Sequence, residues 1–106
     1  MLVKEGRLDF LNGGWVMHDE AGAHYMSMID QTTLGHQFLL KELDYRPRVG
    51  WQIDPFGHAN SHAWLSSEVG FDALYFGRID YQVCFIFPSV FNRKRKREKK
   101  NVSLIF

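Results

Sequence analysis

Apolar and polar positions alternate in three registers along the chain. Leu8–Leu11 is a short run ending in Asn-Gly-Gly at 12–14, and it predicts a first strand closed by a turn that glycine permits. From Glu20 to Leu43, apolar residues recur at helical spacing: Ala21, Tyr25, Met28, Ile29, Thr32, Leu39 and Leu43. Asp19 and Glu20 stand where a helix should begin, and a carboxylate suits the first free amides and the positive end of the dipole. Arg46-Pro47 ends this helix, since proline pushes its predecessor out of helical geometry. Arg48–Asp54 alternates, with Val49, Trp51 and Ile53 on one face expected to be core, and reads as a second strand. A shorter helix is predicted over Ser61–Val69, stopped by Gly70. Ala73–Ile79, ALYFGRI, is rich in aromatic and branched residues and predicts a third strand. The order β-α-β-α-β argues for an α/β fold with a parallel sheet, open or closed into a barrel.

Composition sharpens this picture in one respect. The net charge of +1 hides two unequal parts: residues 93–100, RKRKREKK, hold seven basic residues and one acidic, which leaves 6 basic and 11 acidic in residues 1–92. The body is therefore acidic, with a net charge of −5, and the tail basic. The single cysteine, Cys84, excludes an internal disulfide and any cysteine-based metal motif. No stretch approaches the roughly 20 apolar residues of a membrane span. The first residues, MLVKEGRLDF, lack the apolar region of a signal peptide.

In parallel α/β folds the chemistry gathers at the C-terminal ends of strands. Those ends carry Asn12-Gly-Gly-Trp15, Asp54-Pro-Phe-Gly-His58 and Arg78-Ile-Asp80. Such residues also serve as ordinary caps and turns, so the pattern alone does not decide. Asp54 follows an apolar strand and precedes a proline that offers no amide hydrogen. A carboxylate there needs a metal, a cation or a substrate, unless it simply closes an Asx turn. His58 either joins Asp54 at a metal, caps the next helix, or orients Asp54 from behind, and the last is preferred. Phe56, in the turn beyond the strand end, is the better candidate for stacking on a ligand. His24 and His36 read as helix-surface or core-edge residues.

Four stretches occur in order and at fixed spacing: GGWVMHDEA at 13–21, IDQTTLGH at 29–36, RVGWQIDPFGH at 48–58 and GFDALYFGRIDYQ at 70–82. Together they resemble the N-terminal catalytic domain of family 38 α-mannosidases, most of all the acidic lysosomal or vacuolar branch and its plant members. The resemblance implies a piece of a barrel-like α/β glycosidase domain. The parent enzyme would hydrolyse terminal α-linked mannose of N-glycan oligosaccharides with retention, using an aspartate nucleophile and zinc. By the family's IDPFGH motif, Asp54 takes both the nucleophile and a zinc-ligand role, and Phe56 packs on the sugar. Arg78, from the FGRIDY motif, contacts substrate. The other zinc ligands and the acid/base are expected outside this chain. Position 59, alanine, and NSHAWLSSE at 60–68 depart from the family's usual sequence. The parent is expected in a lysosome, a vacuole or outside the cell, with no nucleic-acid or membrane partner. Its oligomeric state is left open.

The resemblance covers about residues 2–82. Residues 83–106 are expected to be a non-family tail. The favoured origin is sequence read through an unspliced junction, because the match stops at Val83, whose codon begins with the two bases of a splice donor. A solvated tail behind a strand, or a basic nucleic-acid patch, are the other readings.

Overall fold

The computed structural model describes residues 1–22, 24–79 and 103–105. Its elements run α1 (Tyr25–Leu43), β1 (Val49–Gln52), α2 (Asn60–Val69), β2 (Ala73–Phe76) and β3 (Ser103–Ile105). The three strands form one sheet in the order β1-β2-β3, and both pairings are parallel. Val49 lies opposite Ala73 and Gln52 opposite Phe76, with α2 as the crossover. Parallel neighbours need such a crossover, because a tight hairpin cannot reverse the chain twice. The α/β class with a parallel sheet is as the sequence predicts. The expectation for residues 83–106 lies largely outside the described residues; of that stretch, only the backbone of β3 is described.

α1 buries Met28, Thr32, Gly35 and Leu39, a stripe stepping by four, three and four residues. It ends at Asp44, which adopts left-handed geometry (φ 53°). α2 ends at Gly70 (φ 91°), whose amide and that of Phe71 return to Ser67 and Ser66 carbonyls, as a glycine C-terminus should. The core combines Met28 and Leu39 of α1, Ala63 and Leu65 of α2, Phe71, and Leu74 and Phe76 of β2.

Three expectations from the sequence are corrected. Leu8–Leu11 forms no strand. Asn12 turns the chain at φ 57° after a single ladder-like bond, Asn12 N to Val49 O at 2.8 Å. Its side chain then takes the next rungs itself: Oδ1 accepts from Trp51 N at 2.6 Å and Nδ2 donates to Trp51 O. A side-chain amide thus substitutes for a neighbouring strand. Second, α1 begins at Tyr25, not at Glu20, and its N-cap is His24. Asp19 closes a tight turn instead, its Oδ1 accepting from Ala21 N at 2.9 Å, and Glu20 is fully buried. Third, the inner face of β1 is Gly50 and Gln52, while Val49 and Trp51 are half-buried and Ile53 is 60% exposed. The reason is space. A Cβ on Gly50 would overlap Leu74 Cδ1, so β1 presents a glycine to the most buried residue of β2.

Gly35 shows the same economy on α1. A Cβ there would overlap Gly13 O and lie 2.5 Å from Trp15 N, so the helix backbone rests directly on the 13–15 backbone. Alanine is about 1 kcal/mol better than glycine inside a helix. The clash is with backbone rather than a flexible side-chain end, so overpacking of about 1–3 kcal/mol or more should outweigh that gain. Gly35→Ala is therefore expected to lower the unfolding free energy measured by urea titration, and a more stable variant would refute the close approach.

Candidate functional site

The C-terminal ends of β1 and β2 meet in space because the strands are parallel and in register. The turn after β1 carries Asp54, Pro55, Phe56 and Gly57, and the turn after β2 carries Gly77 and Arg78. The backbone of Gly77 donates to Gln52 O at 2.8 Å, and a Cβ on Gly77 would overlap Ile53 O. Only a glycine lets the two turns lie this close.

Arg78 then reaches across to the first turn with three contacts. Its guanidinium Nη2 lies 2.5 Å from Asp54 Oδ1, its Nε donates to Pro55 O at 3.2 Å, and its Cζ stands 5.5 Å from the centre of the Phe56 ring. The planar fork of arginine suits a carboxylate, a carbonyl and an aromatic face at once, which a lysine ammonium does not. Asp54 and Arg78 are 56% and 58% exposed and Phe56 is 74% exposed. The structure thus brings Asp54, Phe56 and Arg78 into one outward-facing group. Asp80 lies outside the described residues.

His58 points inward. Among the described residues its Nε2 has no hydrogen-bond partner, and it lies 3.8 Å from Glu20 Oε2. Glu20 is 0% exposed, its Oε1 is 3.9 Å from His62 Nε2, and neither of its oxygens has a hydrogen-bond partner among the described residues. Burial, reinforced by the neighbouring charge of Asp19, pushes the Glu20 carboxyl up to about 8.

Beside it runs an ordered chain of neutral groups. Val16 N donates to Gln31 Oε1 at 3.0 Å, which fixes the amide so that Gln31 Nε2 donates to His18 Nδ1 at 2.8 Å. His18 must then carry its proton on Nε2 and donate to His62 Nδ1 at 2.9 Å. His62 in turn keeps its proton on Nε2, 3.4 Å from Ser66 Oγ, which itself donates to His62 O at 2.9 Å. Burial lowers His62 to about 3, with His18 and His58 pushing the same way, and burial also lowers His18 against the pull of Asp19. The sequence pattern presents Glu20 as a helix start and gives His18 and His62 no role. Their meeting is set by tertiary folding across 44 positions, and the one local hint is the His62/Ser66 spacing on α2.

A cleft of about 810 Å³ lies at the other end of the sheet beside Arg46, Arg48 and Asp72. It touches none of these groups. Among the described residues no set of three or more His, Cys, Asp or Glu side chains is arranged to hold a metal ion. Asp54 has one carboxylate oxygen paired with Arg78 and a second that is unpaired among the described residues, and a single carboxylate does not build a zinc site.

Fold and site together define an α/β protein whose polar group sits at the C-terminal ends of parallel strands, with a carboxylate, a guanidinium and an exposed ring in contact. The profile of the glycosyl hydrolases family 38 N-terminal domain matches residues 1–98, and the chain belongs to that family. It is 49% identical over 106 residues to a probable alpha-mannosidase of Arabidopsis thaliana and 48% identical over 106 residues to an alpha-mannosidase of Canavalia ensiformis; each alignment covers 99% of this chain and 10% of the relative. It is 57% identical over 83 residues to the lysosomal alpha-mannosidase of Homo sapiens, covering 76% of this chain and 8% of that protein. The chain spans about a tenth of the length of these relatives. Among the described residues no helix is long and apolar enough to cross a membrane.

The buried groups give stability a specific pH dependence. Glu20 rises from 4.5 to about 8 on folding, so its contribution is full below pH 4.5 and is lost as pH climbs through 8. His62 falls from 6.5 to about 3, so its contribution is full above pH 6.5 and is lost as pH drops through 3. His18 acts in the same sense as His62. The effects oppose one another between 4.5 and 6.5, and of these groups Glu20 alone acts from 6.5 to 8. Thermal melts should show stability falling across that upper window, with a limiting slope of about 1.4 kcal/mol per pH unit. Glu20→Gln should remove this fall, and an unchanged slope in the variant would contradict the assignment.

Proposed function

We propose that this chain supplies the nucleophile arm of a retaining, zinc-dependent α-mannosidase and works as part of a longer enzyme. The observation that carries this reading is the contact of Asp54, Arg78 and Phe56 at the C-terminal ends of β1 and β2. Membership of family 38 supports the substrate class, terminal non-reducing α-D-mannose on N-glycan oligosaccharides, and the names of the relatives support the activity. The parallel βαβ unit is then one sector of a barrel-like domain. Relatives named as lysosomal support a lysosomal or vacuolar setting for the whole enzyme.

Retaining glycosidases place two carboxyl groups about 5–5.5 Å apart, one attacking the anomeric carbon and one handling the leaving-group proton. Asp54 has the geometry for the first task. Arg78 occupies Oδ1, which fixes the carboxylate plane and leaves the second oxygen free to face the sugar. Phe56 presents an open ring face for the apolar side of the sugar, and Arg78 beneath it restrains its tilt. The acid/base is expected from elsewhere in the longer enzyme. Zinc, if Asp54 contributes one of its ligands there, would supply a fixed positive charge that orients sugar hydroxyls. This chain alone offers too few donors for it, since catalytic zinc generally has about three protein ligands.

In the full-length enzyme, Asp54→Asn should abolish hydrolysis of an aryl α-mannoside, a loss well beyond the roughly 10²–10⁴-fold that positioned acid/base groups typically contribute. The 106-residue chain on its own, given zinc at mildly acidic pH, should read as blank in the same assay. Near-normal turnover by the Asp54→Asn enzyme would remove Asp54 from the mechanism. Chelator-sensitive turnover by the short chain would show that it holds a complete site.

A further inference from the structure

Residues 19–21 hold the turn that carries Asp54 and Phe56 through four contacts. Asp19 Oδ1 accepts from Phe56 N at 3.3 Å, and Glu20 O accepts from Ala59 N at 3.0 Å. A Cβ on Gly57 would lie 2.8 Å from Ala21 Cβ, so the turn rests on that methyl group through a glycine. The fourth contact is the Glu20 carboxyl group, enclosed between the rings of His58 and His62. For position 20 itself, the backbone carbonyl would serve whatever the side chain. The carboxyl group is different.

A fully buried carboxyl group with neither oxygen hydrogen-bonded weakens a fold, and an apolar side chain of similar volume would do better there. Its two neighbours are not equivalent. His62 is committed: Nδ1 receives the proton of His18 and Nε2 faces Ser66 Oγ. His58 is uncommitted, because its Nε2 is buried and also lacks a partner. The 3.8 Å between Glu20 Oε2 and His58 Nε2 exceeds hydrogen-bond length by less than about 1 Å. Small side-chain adjustments of Glu20 and His58 would close that gap and join the two orphaned groups. Such a bond would tie down the turn that carries Asp54 and Phe56, which lie four and two residues before His58.

We propose that Glu20 is a positioning residue for the nucleophile turn: its carboxyl group hydrogen-bonds His58 and so sets the depth at which Asp54 and Phe56 meet the sugar. This rests on the reading of Asp54 as the nucleophile. Glu20 touches no substrate and acts only through the turn. Its removal therefore affects the chemical step more than binding, since a reacting group displaced by about 1 Å can lose on the order of 100-fold in rate.

The test is steady-state kinetics of the full-length enzyme on an aryl α-mannoside, with melting temperatures measured at pH 7.5, about one pH unit above the unperturbed histidine value. Glu20→Leu keeps the volume and removes the buried polar group. It should melt at or above the parent while kcat falls at least about tenfold, with KM changing by less than about threefold. Glu20→Gln, which still donates and accepts, should retain at least about a third of kcat. A carboxyl group with no role in the turn predicts that leucine at position 20 is harmless or beneficial to both properties, and a Glu20→Leu enzyme with kcat within about threefold of the parent overturns the proposal. Should Glu20→Leu fail to fold, His58→Phe decides, since it keeps an aromatic ring and removes the nitrogen: the same fall in kcat supports the proposal and an unchanged kcat overturns it. Asp54→Asn is assayed in parallel. If that enzyme is dead while Glu20→Leu runs at parental speed, only the role of Glu20 falls. If Asp54→Asn turns over normally, the reading of the site fails and the role of Glu20 falls with it.

Discussion

A segment without regular structure, residues 12–22, must cross the end of β1 with no ladder of its own to pair its backbone, and the functional end of the molecule depends on how it does so. A strand or helix pairs its backbone by repetition; this segment pairs one group at a time. Asn12 spends both ends of its side-chain amide on Trp51. Trp15 N and Val16 N go to the backbone and side chain of Gln31, and Gly35 lets α1 lie directly on 13–15. With that anchorage made, residues 19–21 arrive beneath the 54–58 turn at a fixed height. Position and orientation of Asp54 are thus set from two sides: from below by 19–21, from the flank by Arg78.

The two charged groupings at this end work in opposite regimes. Asp54 and Arg78 are each more than half exposed, and an exposed ion pair contributes at most about 1 kcal/mol to stability. Their pairing matters as geometry, because it fixes one carboxylate oxygen and supports the Phe56 ring. Glu20 is the converse: fully buried, without a hydrogen bond among the described residues, and pushed by burial to hold its proton well above the ordinary carboxyl value. The neutral run of Gln31, His18, His62 and Ser66 lies beside it, and among the described residues His58 is left as its uncommitted neighbour.

How far the sequence foretells this varies with the physical signal. The helical stripe is strong and periodic, and Met28, Thr32 and Leu39 are buried as it predicts while Ala21 and Tyr25 are exposed; Gly70 and Pro47 mark their boundaries by backbone chemistry. β1 and β2 are legible for the same reason, although the pattern overshoots their ends, since Ile53 and Gly77 look strand-like yet lie where the turns begin. The first strand is misleading because Leu8–Leu11 has the composition of a strand, while Asn12 supplies the pairing through its side chain. The face of β1 reads inverted because hydrophobicity favours Trp51 over Gly50, and only the proximity of Leu74 explains the glycine. The grouping of Asp54, Phe56 and Arg78 follows from strand-end logic together with the family resemblance. The Glu20 cluster does not, since its members come from three separate segments and no local pattern links them.

If Asp54 is the nucleophile, its carboxylate becomes covalently attached to the sugar. The most direct measurement is mass spectrometry of the full-length enzyme after brief exposure to an activated fluorinated α-mannoside, which forms the glycosyl-enzyme faster than it is released. Digestion should place one added fluoro-mannosyl group on the peptide containing Asp54, and the corresponding peptide of the Asp54→Asn enzyme should be unmodified. A stable sugar adduct on any other carboxylate, with Asp54 untouched, would contradict the account.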